Sequence, residues 1–148
     1  VKSQQYMLIY FLGSISEERQ KMLDKIAEQN NLIIIDVLKI QEILDGVAGI
    51  EEFLALVDNA KIVLTDSFHA CVFSILFKKP FYALDRDGIV SNMNSRIDTL
   101  LKTFNLQDRK INDYNQEINF TMDYSNVEQI LESEREKSLN FLKKSLNN

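Results

Sequence analysis

Apolar runs alternate with amphipathic stretches along this chain. Residues 6 to 12, Tyr-Met-Leu-Ile-Tyr-Phe-Leu, are continuously apolar, as befits a parallel strand covered on both faces. Gly13 breaks the run, and Ser14 with Glu17 fits the spacing of a capping box, so a helix is expected to start there. Met22, Leu23, Ile26 and Ala27 give that helix one apolar side. Residues 32 to 37 predict a second strand, and Leu38 to Gly49 has no decisive period. Ile50, Phe53, Leu54 and Val57 follow the i, i+3, i+4, i+7 spacing of a helix. Ile62 to Leu64 is a short third strand. The helix after Ser67 is apolar nearly all round and is expected to be central and buried. Pro80 to Leu84 is a fourth strand, with Pro first, where its missing N–H does least harm. Asp85 to Gly88 is a loop. Ile97, Leu100, Leu101 and Phe104 mark another helix, and polar residues dominate 107 to 119. A last helix is expected from about Ser125 to Leu142, with Val127, Ile130, Leu131, Leu139 and Leu142 inward.

This alternation predicts an α/β fold: a Rossmann-like three-layer sandwich with a parallel sheet. Its 148 residues suit one domain with a real core. At 45% hydrophobic and 26% charged, the composition is that of a globular chain. The net charge of −5 argues against a nucleic-acid binder, which needs a basic stripe. It also means that an anionic ligand must be met by a local cluster of cations. The single Cys71 rules out an internal disulfide and points to a reducing, cytoplasmic compartment. No apolar run reaches the roughly 18 residues of a membrane span. The start is polar and lacks Met, so the chain is expected to be part of a longer protein.

The stretch "TDSFHACVFSILFKKPF", residues 65 to 81, carries the candidate chemistry. It holds the only histidine, His69, the only cysteine and the only proline. In an open α/β sheet, ligands bind beyond the carboxyl ends of the strands. Thr65 and Asp66 stand at such an end. Ser67 or Asp66 can cap the next helix, which leaves His69 in a first turn whose backbone N–H groups attract anions. That field opposes a positive imidazole and a bound anion offsets it, a setting suited to a general acid. A histidine that merely caps or packs locally is the competing explanation. Ser14, after the first strand, could touch a ligand phosphate, although the region lacks the glycines of a dinucleotide fingerprint. Arg86 and Arg96 flank the loop after strand four and could hold a carboxylate or phosphate bidentately. Cys71 reads as inert core. The acidic residues show no metal-ligand spacing beside the one histidine, so neither a metal nor a cofactor is expected.

"NAKIVLTDSFHACVFSILFKKPF" resembles the signature stretch of the polysaccharide pyruvyl transferase family, in which an apolar strand leads into T-D-S-F-H-G, an apolar helix and K-P-F. "YMLIYFLG", "IEEFLALVDNA" and "MNSRIDTLLKTFNLQDR" resemble the family segments around it, so the likeness spans about residues 6 to 110. Ala70 departs from the usual glycine, and the tail after residue 110 matches nothing. The resemblance implies the C-terminal domain of a GT-B-like enzyme, with an N-terminal domain of the same protein as partner. It implies transfer of a pyruvyl group from phosphoenolpyruvate to a sugar hydroxyl of a polysaccharide precursor, giving a ketal or an enol-type product. By resemblance His69 is the acid. Arg96 and the turn after Ser67 are expected to hold the donor, Ser67 to bond it, and Asp66 to orient the turn or the histidine. The isolated chain is expected to be inactive. Two other classes compete. Half of a GT-B glycosyltransferase that uses a nucleotide sugar would need a carboxylate for the ribose and a base pocket, and neither can be located. A receiver-like signalling module would need an acidic pair after the first strand, and "LIYFLG" has none.

Overall fold

The structure is a computed structural model that describes residues 4–43, 49–86 and 92–147. Its elements run β1 (Tyr6–Tyr10), α1 (Glu17–Gln29), β2 (Ile33–Asp36), α2 (Val37–Ile43), α3 (Ile50–Asn59), β3 (Ile62–Thr65), α4 (Phe68–Leu76), β4 (Phe81–Ala83), α5 (Asn92–Thr103), a 3₁₀ turn (Gln107–Arg109) and α6 (Val127–Asn147). The four strands form one all-parallel sheet in the order β2-β1-β3-β4. The fold is thus the α/β, Rossmann-like sandwich that the alternation predicts.

Side-chain alternation divides the core in two. Met7, Ile9, Ile62, Leu64, Tyr82 and Leu84 point to one face and pack with Met22, Leu23 and Ile26 of α1. Leu8, Val63, Phe81 and Ala83 point to the other, against Val57 of α3, Cys71 and Ile75 of α4 and Ile97 and Leu101 of α5. The strand periodicity of two and the helical periodicity of 3.6 meet on both faces.

Several expectations need correction. β1 ends at Tyr10 rather than residue 12, because the amides of Leu12 and Gly13 turn to the carboxylate of Asp66. The cap of α1 is Ser16, whose hydroxyl accepts from the Arg19 N–H, and not Ser14. β2 stops at Asp36, whose carboxylate accepts from the Leu38 N–H and starts α2. Residues 44–48 of the undecided stretch lie outside the described residues, as do 87–88 of the loop after strand four. α4 is buried on one side only, through Ala70, Cys71, Ser74 and Ile75, while Leu76 and Phe77 are exposed. α6 is anchored by Val127, Ile130 and Leu131, but Leu139 and Leu142 are 50% and 54% exposed rather than inward.

The polar segment after the 3₁₀ turn is a strap and not a free loop. Ile111 donates its N–H to Ala83 O at 2.9 Å. Ile111, Tyr114, Ile118 and Phe120 pack on the α1 face of the sheet. Arg109, buried over the ring of Tyr82, donates to the carbonyls of Asn119 and Thr121 at 2.7 and 2.6 Å.

Candidate active site

The chain leaves β1 for β2 on one side of the sheet and later enters β3 on the other. The carboxyl ends of β1 and β3 therefore flank a topological switch point, where open α/β sheets place their ligands. Thr65, Asp66 and Ser67 occupy one side of it, and all three are buried. Buried polar groups need partners inside the protein, and each of the three finds them. The Thr65 hydroxyl donates to Tyr10 O at 2.6 Å and accepts from the Ser67 N–H at 2.9 Å. The Asp66 carboxylate accepts from the Leu12 and Gly13 amides at 2.7 and 3.0 Å. The Ser67 hydroxyl caps α4 by accepting from the Ala70 N–H at 3.3 Å.

These bonds splice the end of β3 to the end of β1 and turn the chain sharply into α4. His69 is the second residue of that helix and is exposed. Cys71 N–H bonds to the Ser67 carbonyl at 3.1 Å. The amides of Phe68 and His69 head the helix, where no intrahelical acceptor exists, and they offer an anion site. The ring of Phe68 meets His69 edge to face, with centroids 5.7 Å apart. The Arg96 guanidinium lies 4.3 Å from the centroid of the Phe68 ring, a cation–π contact.

Of the residues singled out from sequence, Asp66, Ser67 and His69 stand together, and Arg96 reaches the group through Phe68. Ser14 is exposed on the β1–α1 connection, and no contact ties it to His69. Asp66 is spent on the Leu12–Gly13 turn rather than on the histidine. The Ser67 hydroxyl accepts at the helix cap and keeps its own proton to donate. Cys71 is fully buried, and burial pushes its thiol up to about 12. Among the described residues no group of three or more His, Cys, Asp or Glu could hold a metal, and no helix is long and apolar enough to cross a membrane.

Three cations gather at this edge, and of them only Arg86 was singled out from sequence. Arg19 is buried between the rings of Phe11 and Tyr114 and donates to Asp85 O at 2.9 Å. Its position was legible, because residues 19, 22, 23 and 26 share the apolar side of α1. Lys110 bonds to the carboxylates of Asp85 and Asp98 at 2.6 and 2.7 Å. Those bonds hold its ammonium above the ordinary range, against the opposing effect of burial, which is the largest single influence on it. Arg86 lies with its Nε 3.9 Å from the Asp66 carboxylate.

A family model described as polysaccharide pyruvyl transferase matches residues 3–88. The match spans β1 to β4 and the residues just described on them. It stops short of α5, so Arg96 and the likeness seen in residues 93 to 109 lie outside it. Searches of the curated proteins and of the solved structures found no match. With more than half of its length matched, signature turn included, the chain belongs to the polysaccharide pyruvyl transferase family.

Proposed function

We propose that the protein carrying this chain transfers the pyruvyl group of phosphoenolpyruvate to a sugar hydroxyl, with His69 as general acid. In this reading the chain is the C-terminal, donor-binding half of a GT-B-like enzyme. The observation that carries it is the placement of an exposed imidazole in the first turn of α4, beside the switch point, on a turn that Thr65, Asp66 and Ser67 build.

The chemistry follows from that placement. The imidazolium gives its proton to the methylene carbon of phosphoenolpyruvate, which becomes a methyl group. Positive charge develops at the adjacent carbon. A sugar hydroxyl oxygen bonds to that carbon, and its proton returns to the imidazole. For a ketal, a second hydroxyl of the same sugar forms the other C–O bond. The bond from carbon to the phosphate oxygen breaks, and inorganic phosphate leaves with the second hydroxyl's proton. The helix N–H groups and nearby cations oppose the donor's negative charge. Arg96, stacked on Phe68, is the cation from α5. Ser14 can bond a donor oxygen from the β1–α1 connection.

The test is steady-state kinetics on the full-length protein. His69→Ala and His69→Gln are expected to lower kcat about 10²- to 10⁴-fold with an unchanged circular dichroism spectrum. The glutamine can hydrogen-bond but cannot deliver a proton. Arg96→Ala is expected to raise KM for phosphoenolpyruvate about tenfold. Near-normal turnover by folded His69→Ala refutes the assignment.

A further inference from the structure

A groove of about 490 Å³ runs along α5 beside the candidate site, within the size range of small-molecule sites. Phe68 and Arg96 stand at its head, Thr99 follows, Thr103 and Phe104 lie at its foot, and α6 contributes Glu134. From Arg96 to Thr103 the helix rises about 10 Å, which is longer than one pyranose ring. The head adjoins His69, whose ring meets that of Phe68 edge to face with centroids 5.7 Å apart.

The lining decides what the groove can take. The Thr99 hydroxyl donates to the Ser95 carbonyl at 2.8 Å, and the Thr103 hydroxyl donates to the Thr99 carbonyl at 2.9 Å. Both protons are thus engaged along the helix, while each oxygen keeps lone-pair capacity. The result is two exposed acceptors one helical turn apart. The Glu134 carboxylate is a third acceptor. One of its oxygens lies 3.5 Å from the Lys137 ammonium, and the other makes no bond among the described residues. Arg96 supplies N–H donors. Its charge and that of Glu134 cancel, so the groove favours an uncharged ligand, and Glu134 opposes the doubly anionic donor. Phe68 and Phe104 give an apolar floor on which the C–H face of a pyranose ring can rest. Acceptors for hydroxyl protons, a donor for hydroxyl oxygens and an apolar floor together suit a glycan.

We propose that this groove is the acceptor subsite and takes an oligosaccharide whose bound units are uncharged, rather than a single sugar. The reacting unit lies at the Phe68 end, beside His69, and the next unit lies against Thr99 and Thr103. Arg96 stands on the rim that donor and acceptor share. The role of acceptor rests on the pyruvyl-transfer reading, whereas binding of a glycan to the groove does not.

The test uses the full-length protein, the methyl β-glycosides of glucose, galactose and N-acetylglucosamine, and the β-1,4-linked trisaccharide of each. Binding is read from the methyl resonances of Thr99 and Thr103, and transfer from phosphate released out of phosphoenolpyruvate. At least one trisaccharide is expected to shift both methyls and to show a lower KM than its methyl glycoside. The double variant Thr99→Val with Thr103→Val keeps shape and branching but removes both hydroxyls. It should raise KM for that trisaccharide about 5- to 30-fold, with kcat, KM for phosphoenolpyruvate and KM for the methyl glycoside unchanged. An unchanged trisaccharide KM in the folded double variant overturns the proposal. If the double variant does not fold, the wild-type methyl shifts decide. Transfer to any of these sugars while both methyls stay put overturns the groove and leaves the pyruvyl-transfer reading standing. Methyl shifts in a protein that transfers to none of them support the groove and count against that reading. Neither shift nor transfer overturns both.

Discussion

Thr65, Asp66 and Ser67 do at the residue scale what a motif comparison cannot express: they are fastenings. Asp66 is the tightest, since both its oxygens serve backbone amides of another strand's exit. Asp66→Asn keeps the shape but turns one acceptor into a donor facing an amide. It is expected to cost about 1.5–3 kcal/mol, read by urea melting, with faster amide exchange at Leu12 and Gly13. Unchanged stability and exchange would show that the splice is unimportant. Cys71 gives a prediction of opposite sign with pH. The folded chain keeps the thiol proton to about 12, because burial disfavours the thiolate, whereas the ordinary thiol loses it near 9.0. The folded state therefore binds more protons between those values, and stability falls as pH rises through that window. Cys71→Ser should flatten this alkaline slope, and native Cys71 should resist alkylation at pH 8. Fast alkylation without unfolding contradicts the burial argument. His69, exposed and flanked by Phe68 and Arg96, has no comparable structural duty among the described contacts.

Elements were most legible where one period ran unopposed. The apolar sides of α1 and α5 follow from spacing alone, and the four strands lie where continuous apolar runs lie; in α3 the spacing finds Phe53 and Val57, but Ile50 is 65% exposed and Leu56 packs on the core instead. Ends were less legible because side chains from elsewhere set them, as Asp66 does for β1 and Asp36 does for β2. α6 shows the limit of periodicity. Its leucines recur at helical spacing to the end, yet only its first two turns meet the core. Deleting residues beyond Glu134 is expected to change stability by less than about 0.5 kcal/mol, as for surface changes generally. Deleting from Val127 should cost several times more, because Val127 is buried and Ile130 and Leu131 pack against the core. Thermal melting of the two truncations separates the cases. Equal losses would mean that the outer half of α6 packs on something. The strap is the converse: a polar composition conceals Ile111, Tyr114, Ile118 and Phe120, which cover the sheet at no fixed period.

Across the molecule, the strand order creates the site. β1 sits centrally with β2 and β3 on either side, so its exit and that of β3 flank the switch point. His69 stands beside it in the open. An open site admits water. The isolated chain is therefore expected to show no measurable pyruvyl transfer, while still binding phosphoenolpyruvate if its donor site is self-sufficient. An assay for released phosphate with a sugar acceptor tests the first expectation. Robust transfer by the chain alone would show that no second domain is needed.

By itself the sequence determined the class of fold, the sequential positions of the strands and the turn that carries His69. Those depend on local period and on short-range capping, which a linear string records directly. Ser67 three residues before Ala70 is enough to cap a helix. Only the tertiary structure decided that Asp66 serves Leu12 and Gly13, more than fifty residues away in sequence, and that Arg86, Arg19 and Lys110 gather about the exit of β4. Such contacts come from packing two helical layers and a strap on one sheet. The charge of an arginine in the string is the same whether it ends in solvent, as Arg96 does, or nine-tenths buried beside a carboxylate, as Arg86 does. Burial depends on which remote segments cover the residue, and that follows from the order of the strands rather than from the neighbours in sequence.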